Sequence, residues 1–175
     1  MTALNPMRDP ACGTDTLVCA IDPSEKLRTV YLYPGQVFTA SQPLLVSTIL
    51  GSCIAVCLWD EKTRLAGINH YLLPSDPVRG QSDLRYGNIA IERLIDEMVS
   101  AGAATQRMVA KIVGGASILG SSASARQSIG DQNAAVARQA LQKHGVAITA
   151  EQTGGLRGRK LLFHTGNGCA FTKEI

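Results

Sequence analysis

Cys53 and His70 are the residue types that a thiol nucleophile needs: a sulfur to attack, and an imidazole to take its proton. Both stand in the stretch Leu44–Pro74, LLVSTILGSCIAVCLWDEKTRLAGINHYLLP. Two apolar runs, Ile54–Trp59 and Leu65–Leu73, flank the polar signal Asp60-Glu61-Lys62-Thr63, which predicts a β-hairpin. If Asp60 faces Thr63, or Trp59 faces Arg64, antiparallel pairing sets Cys53 directly opposite His70. Opposed residues have Cβ atoms roughly 4.5–5.5 Å apart on one face, close enough for the two groups to share a proton. A three-residue loop would put His70 on the other face. A lone histidine on an apolar face is more often structural, so the pairing with Cys53 is what argues for chemistry.

The elements around this pair follow from pattern. Leu44–Leu50 reads as a strand running into Gly51-Ser52-Cys53, a turn whose backbone N–H groups could hold an oxyanion. Beyond it Ile54, Val56 and Leu58 share one strand face, and Cys53, Ala55 and Cys57 the other. That spacing bears on a rival reading, a C-x-x-x-C metal site. On a strand Cys53 and Cys57 lie about 13 Å apart at ~3.3 Å per residue, too far to share one ion, so the metal reading requires a helix there. Ile68, His70 and Leu72 share a face of the second strand, and Pro74 ends it.

The remaining elements are predicted as follows. Leu27–Leu32 and Val37–Ala40 are short extended pieces around the Tyr33-Pro34-Gly35-Gln36 turn. Ser75–Asp83 is a polar loop. A helix covers Tyr86–Ser100, with Ile91, Leu94, Ile95, Met98 and Val99 inward and Glu92, Arg93, Asp96 and Glu97 on a solvated face. Met108–Val113 is a buried strand ending in Gly114-Gly115, a pair that means a tight turn or close backbone approach and lacks the Lys-Ser/Thr of a phosphate loop. Ser121–Gly130 is a loop. Asp131 caps a helix from Gln132 to His144, where His144 complements the helix dipole. Val146–Glu151 is a strand, Thr153–Arg159 a Gly-rich turn carrying two arginines, and Leu161–His164 with Cys169–Thr172 a closing hairpin in which His164 is structural.

Composition bounds the class. The 175 residues, 45% hydrophobic and 18% charged, suffice for one domain with a real core. A net charge of +3 without a basic run does not favour nucleic acid. No apolar run approaches the roughly 18–20 residues a bilayer span needs, so membrane insertion is not expected. Met1–Lys26 lacks the basic and apolar regions of a secretory signal and reads as a flexible extension, residues 1–26, before a single domain, 27–175. Five cysteines without scaffold spacing then point to free thiols in a reducing cytoplasm. The mixture of strands and helices predicts an α+β fold, with a mixed or antiparallel sheet and two main helices packed on it.

Leu50-Gly51-Ser52-Cys53 followed by His70-Tyr71-Leu72-Leu73-Pro74 resembles the CheD family of chemoreceptor glutamine deamidases. Further matches in order are Lys111–Ala116 (KIVGGA), Ile129-Gly130 with Asn133, and Thr153-Gly154-Gly155 followed by Arg157, so that the resemblance runs from about Leu27 to Ile175. It implies a layered α/β sandwich of the cysteine-hydrolase type seen in toxin deamidases, with Cys53 as nucleophile and His70 as base. It implies a third, hydroxyl-bearing catalytic residue six positions before the cysteine, which here is Ser47, with Thr48 beside it. The implied reaction converts glutamine side chains on the cytoplasmic helices of chemoreceptors to glutamate, with glutamyl methylesterase as a second reaction and no cofactor. A CheC-type phosphatase is an implied partner. The alternative function is a non-catalytic adaptor for receptor and phosphatase, and a weaker one is some other cysteine hydrolase.

Overall fold

The computed structural model describes residues 2–3, 26–76, 82–117 and 128–175. The expected loops Ser75–Asp83 and Ser121–Gly130 therefore fall partly outside the described residues, and Cys12 and Cys19 wholly so.

Ten strands and two α-helices, β1 Thr2–Ala3, β2 Thr29–Tyr31, β3 Gln36–Ala40, β4 Leu45–Leu50, β5 Ile54–Asp60, β6 Leu65–His70, α1 Gly87–Ser100, β7 Met108–Gly114, α2 Ile129–Lys143, β8 Ala147–Thr153, β9 Arg159–His164 and β10 Ala170–Glu174, follow one another among the described residues. They build two five-stranded sheets, in the orders β1-β10-β9-β4-β2 and β3-β6-β5-β7-β8. Each sheet is antiparallel except for one parallel pair, β2 with β4 and β7 with β8. This is the mixed, layered α+β architecture expected from the sequence.

The core explains the layering. β5 is apolar on both faces because both are covered. Its even-numbered residues Ile54, Val56 and Leu58 pack with Ile91, Leu94, Ile95 and Met98 of α1 and with Ala134, Ala137 and Leu141 of α2. Its odd-numbered residues Ala55 and Cys57 pack with Ala66, Ile68 and Val113 against Val46, Leu50, Leu161 and Phe163 of the first sheet. The order is thus sheet, sheet, helices, and the alternation predicted for β5 is observed.

Several local readings are corrected. Asp131 does not cap α2. Ser128 does, with Asp131 at N3 returning the bond in a capping box, so the helix starts at Ile129 and includes Gly130. Glu92 is not simply solvated, since it pairs with Lys143 Nζ at 2.8 Å and His144 Nε2 at 2.6 Å and joins α1 to the end of α2. Within the predicted extension, Thr2–Ala3 pairs with Thr172 and Phe171, because the β10 edge offers unpaired backbone groups. Cys53 and Cys57 are free thiols, but Cys169 is disulfide-bonded. The fold alone brings its sulfur to a partner, a proximity that spacing cannot reveal. Among the described residues no helix is long and apolar enough to cross a membrane.

Candidate active site

The hairpin that carries Cys53 and His70 forms, with a different register from the expected one. Asp60 faces Leu65 and Cys57 faces Ile68, and the pairing continues as an Ile54–Tyr71 bridge. His70 therefore sits across from Ala55, and Cys53 lies diagonally from His70, two residues from direct opposition. The physical reason lies in the turn. Arg64 takes φ +54° and extends the loop to Glu61–Arg64. Asp60 is held in the strand by bonds from Arg107 Nη2 at 2.7 Å and Ala104 N at 3.1 Å.

A shift of two preserves the face. Ile54 and Tyr71 point to the helices, so Cys53 and His70, each one residue before them, point between the sheets. Diagonal partners lie roughly 7–8 Å apart, with their Cβ atoms somewhat closer, within reach of an aromatic side chain such as imidazole. Cys53 packs at the rim of the inter-sheet cluster and is partly exposed. His70 is buried, 1% exposed.

The hydroxyl that meets His70 is that of Thr48. Val46, Thr48 and Leu50 share a parity, face Phe163, Leu161 and Arg159 across β9, and point between the sheets. Thr48 Oγ1 lies 2.9 Å from His70 Nδ1 and donates to the Leu32 carbonyl at 2.8 Å. With its one proton given to Leu32, Thr48 accepts from Nδ1–H, which leaves Nε2 of His70 with its lone pair available. Among the described residues, that nitrogen is buried without a hydrogen-bond partner. Ser47 faces the other side of β4, opposite Leu162, and does not join the group.

Burial sets the charge state. Desolvation pushes the Cys53 thiol up from its ordinary value, against a smaller opposing bond to its own backbone N–H. Desolvation holds the His70 imidazole down at about 4, opposed by hydrogen bonding to the Leu32 backbone. An imidazolium that could lower the thiol is thus absent at neutral pH. The site rests as thiol and neutral imidazole, a general-base arrangement rather than a standing ion pair. Cys57 lies deeper, and burial pushes it up to about 12 despite the neighbouring Lys111 charge.

Glycines hold the Cys53 turn. A Cβ on Gly114 would lie 2.2 Å from the Cys53 carbonyl oxygen, and Gly114 adopts φ +121°. Gly115 N–H donates to Cys53 O at 2.8 Å, and Ala116 N–H to Gly51 O at 2.8 Å. Gly130 of α2 in turn lets the Gly115 backbone approach. Gly154 N–H donates to Gly114 O at 3.0 Å, which ties in the second Gly-Gly pair. Of the two arginines of that turn, Arg159 is the buried first residue of β9 and donates to the carbonyls of Gln152 and Gly154, while Arg157 is exposed. Residue-type reasoning missed Asn133 as part of the site. Fully buried on α2, it donates from Nδ2 to Ser52 O at 2.9 Å and Leu72 O at 2.8 Å. A buried asparagine inside a helix was the available signal, since helix interiors disfavour it and burial demands partners.

Relatives match most of the chain. "Probable chemoreceptor glutamine deamidase CheD 1" of Anaeromyxobacter dehalogenans is 42% identical over 146 residues, 83% of this chain and 84% of its own. "Probable chemoreceptor glutamine deamidase CheD" of Sulfurimonas denitrificans is 39% identical over 145 residues, 83% of this chain and 93% of its own. Any 146-residue span of a 175-residue chain includes both Cys53 and His70. Among solved structures, the Neisseria meningitidis protein NMB0706 covers 74% of this chain and 65% of its own at TM-score 0.47 and 13% identity, a likeness that carries nothing about function. The family model described as CheD chemotactic sensory transduction matches residues 72–174, from two residues past His70 almost to the C-terminus. With relatives this similar over four fifths of its length, and a thiol, an imidazole and a hydroxyl all turned into the space between the two sheets, the chain belongs to the CheD family.

Proposed function

We propose that this chain is a chemoreceptor glutamine deamidase that works through a Cys53 thioester. The observation that carries the reading is the Thr48–His70 hydrogen bond, which orients a buried imidazole with its free nitrogen on the face shared with a partly exposed cysteine. The relatives' names supply the substrate class.

The steps follow from neutral starting groups. His70 Nε2 takes the Cys53 proton as the sulfur attacks the carboxamide carbon of a glutamine. Backbone N–H groups of the Gly51–Cys53 turn hold the oxyanion. His70, now protonated on both nitrogens, returns its proton to the departing ammonia. A thioester joins substrate and Cys53. Water then attacks with His70 as base, the C–S bond breaks, and the thiol is regenerated. The balance is glutamine plus water to glutamate plus ammonia. A glutamyl methyl ester would enter the same acyl-enzyme, with methanol leaving.

Receptor cytoplasmic helices as the docking element, a CheC-type phosphatase as partner and a cytoplasmic location belong to the same proposal, and rest on the resemblance. Receptors co-expressed with this chain should show by mass spectrometry the small mass gain of each Gln-to-Glu change. Cys53→Ala should abolish it, and continued deamidation by that variant would overturn the mechanism.

A further inference from the structure

Asn133 does more than fill space. Its amide nitrogen joins the carbonyl of Ser52, which precedes Cys53, to the carbonyl of Leu72, which follows His70 and Tyr71. Its own backbone carbonyl accepts from Tyr71 Oη at 2.6 Å. One helical residue thus holds both sides of the Ile54–Tyr71 bridge.

The consequence is directional. In a trans peptide the C=O and the following N–H point opposite ways. Turning the Ser52 carbonyl toward α2 therefore turns the Cys53 N–H away from α2, to the side where the thiol lies. The next carbonyl, Cys53 O, is fixed by Gly115 N–H, so the peptide units on both sides of Cys53 are anchored. An oxyanion formed on a carbon bonded to Cys53 Sγ lies within reach of that N–H.

We infer that Asn133 is a positioning residue for the reaction: by holding the Ser52 carbonyl it aims the Cys53 N–H at the developing oxyanion. The inference rests on the proposed deamidase reading. It goes beyond that reading by giving a helix, remote from the thiol in sequence, control over transition-state stabilisation.

The test compares two reactions of the same sulfur. Deamidation needs the oxyanion donor, whereas alkylation by iodoacetamide needs only the sulfur and its proton acceptor. Asn133→Ala should lower kcat for receptor deamidation by about 10²-fold, the usual effect of a lost or misdirected oxyanion donor. KM and the alkylation rate of Cys53 at pH 8 should stay within about threefold of the parent, a margin well below that effect. Equal losses in alkylation and turnover would mean that Asn133 only supports the fold, and would overturn the inference. Unchanged kcat would do the same. If Asn133→Ala does not fold, Asn133→Ser and Asn133→Asp replace it: the serine keeps a donor and must retain more kcat than the aspartate, which puts acceptors against two carbonyls, and the reverse order refutes the assignment. Cys53→Ala is run alongside. Deamidation surviving in Cys53→Ala sinks the Cys53 thioester mechanism itself, whereas its loss there with full kcat in the Asn133 variants sinks only this inference.

Discussion

Thr48 Oγ1 stands 2.9 Å from His70 Nδ1, and the proton of the same hydroxyl goes to the Leu32 carbonyl at 2.8 Å. This two-bond chain selects the tautomer that leaves Nε2 free to act as a base. Thr48→Val, which keeps the shape and removes the acceptor, should lower the deamidation rate between about 10- and 100-fold, less than the 10²–10⁴-fold a general base contributes. Thr48→Ser should retain most activity and Ser47→Ala nearly all. Steady-state rates on a purified receptor fragment decide the matter, and a larger loss in Ser47→Ala than in Thr48→Val would reverse the assignment.

The depressed His70 value predicts an unusual acid limb. A histidine with its ordinary value of 6.5 would lose basicity just below neutrality, but His70 stays neutral down to about 4. The pH profile of kcat/KM should therefore hold well below pH 6.5 before it falls. A limb centred near 6.5 would show that the imidazole is not desolvated.

Stability should respond to the same group. Because its folded value lies below its unfolded one, the neutral form favours the native state. That contribution is fully present above pH 6.5 and is lost as the pH falls from 6.5 through about 4. It amounts to on the order of 3 kcal/mol. His70→Gln should flatten this part of the stability curve, as read by urea denaturation across pH 4–7.

Thiol chemistry should separate Cys53 from Cys57, the two free cysteines among the described residues. Iodoacetamide on the native protein, followed by peptide mapping, should label Cys53 and spare Cys57, which is 1% exposed and held near 12. Labelling of Cys53 should keep rising with pH beyond 8 because burial raises its thiol. A plateau already reached at neutral pH would indicate a preformed thiolate.

Gly114→Ala should be poorly tolerated. Backbone strain at φ +121° alone costs about 1–3 kcal/mol. The methyl would also press on the Cys53 carbonyl. Gly102→Ala is the control, since φ +105° brings similar strain into open space. Thermal unfolding and deamidation should both fall for Gly114→Ala, and activity should be spared in Gly102→Ala.

The alternation of β5, the closing hairpin and, except at Val99, the apolar stripe of α1 were legible in the sequence because each depends on period alone; Val99, expected inward, is exposed. The register of the β5–β6 hairpin was not. The partner that keeps Asp60 in the strand is Arg107, far along the chain, and no local turn signal reports it. Ser47 and Thr48 were indistinguishable because β4 is apolar at both parities. Ile49, which looks like a core residue, is exposed, and only the facing Leu161 and Phe163 show which side is inward. The Gly114-Gly115 pair was readable as a close approach, but its neighbour, Cys53, required the coordinates. Asn133 appeared as a matching letter of a family, and its clamp is a contact between three distant segments.

The hydroxyl comes from one sheet, whereas the ring and the sulfur belong to the other. Turnover is therefore a gauge of how well the two leaves of the sandwich are seated. A half-assembled chain, or one nicked so that the leaves part by even a bond length, would keep its cysteine yet stay silent, and no protein would be modified before folding is complete.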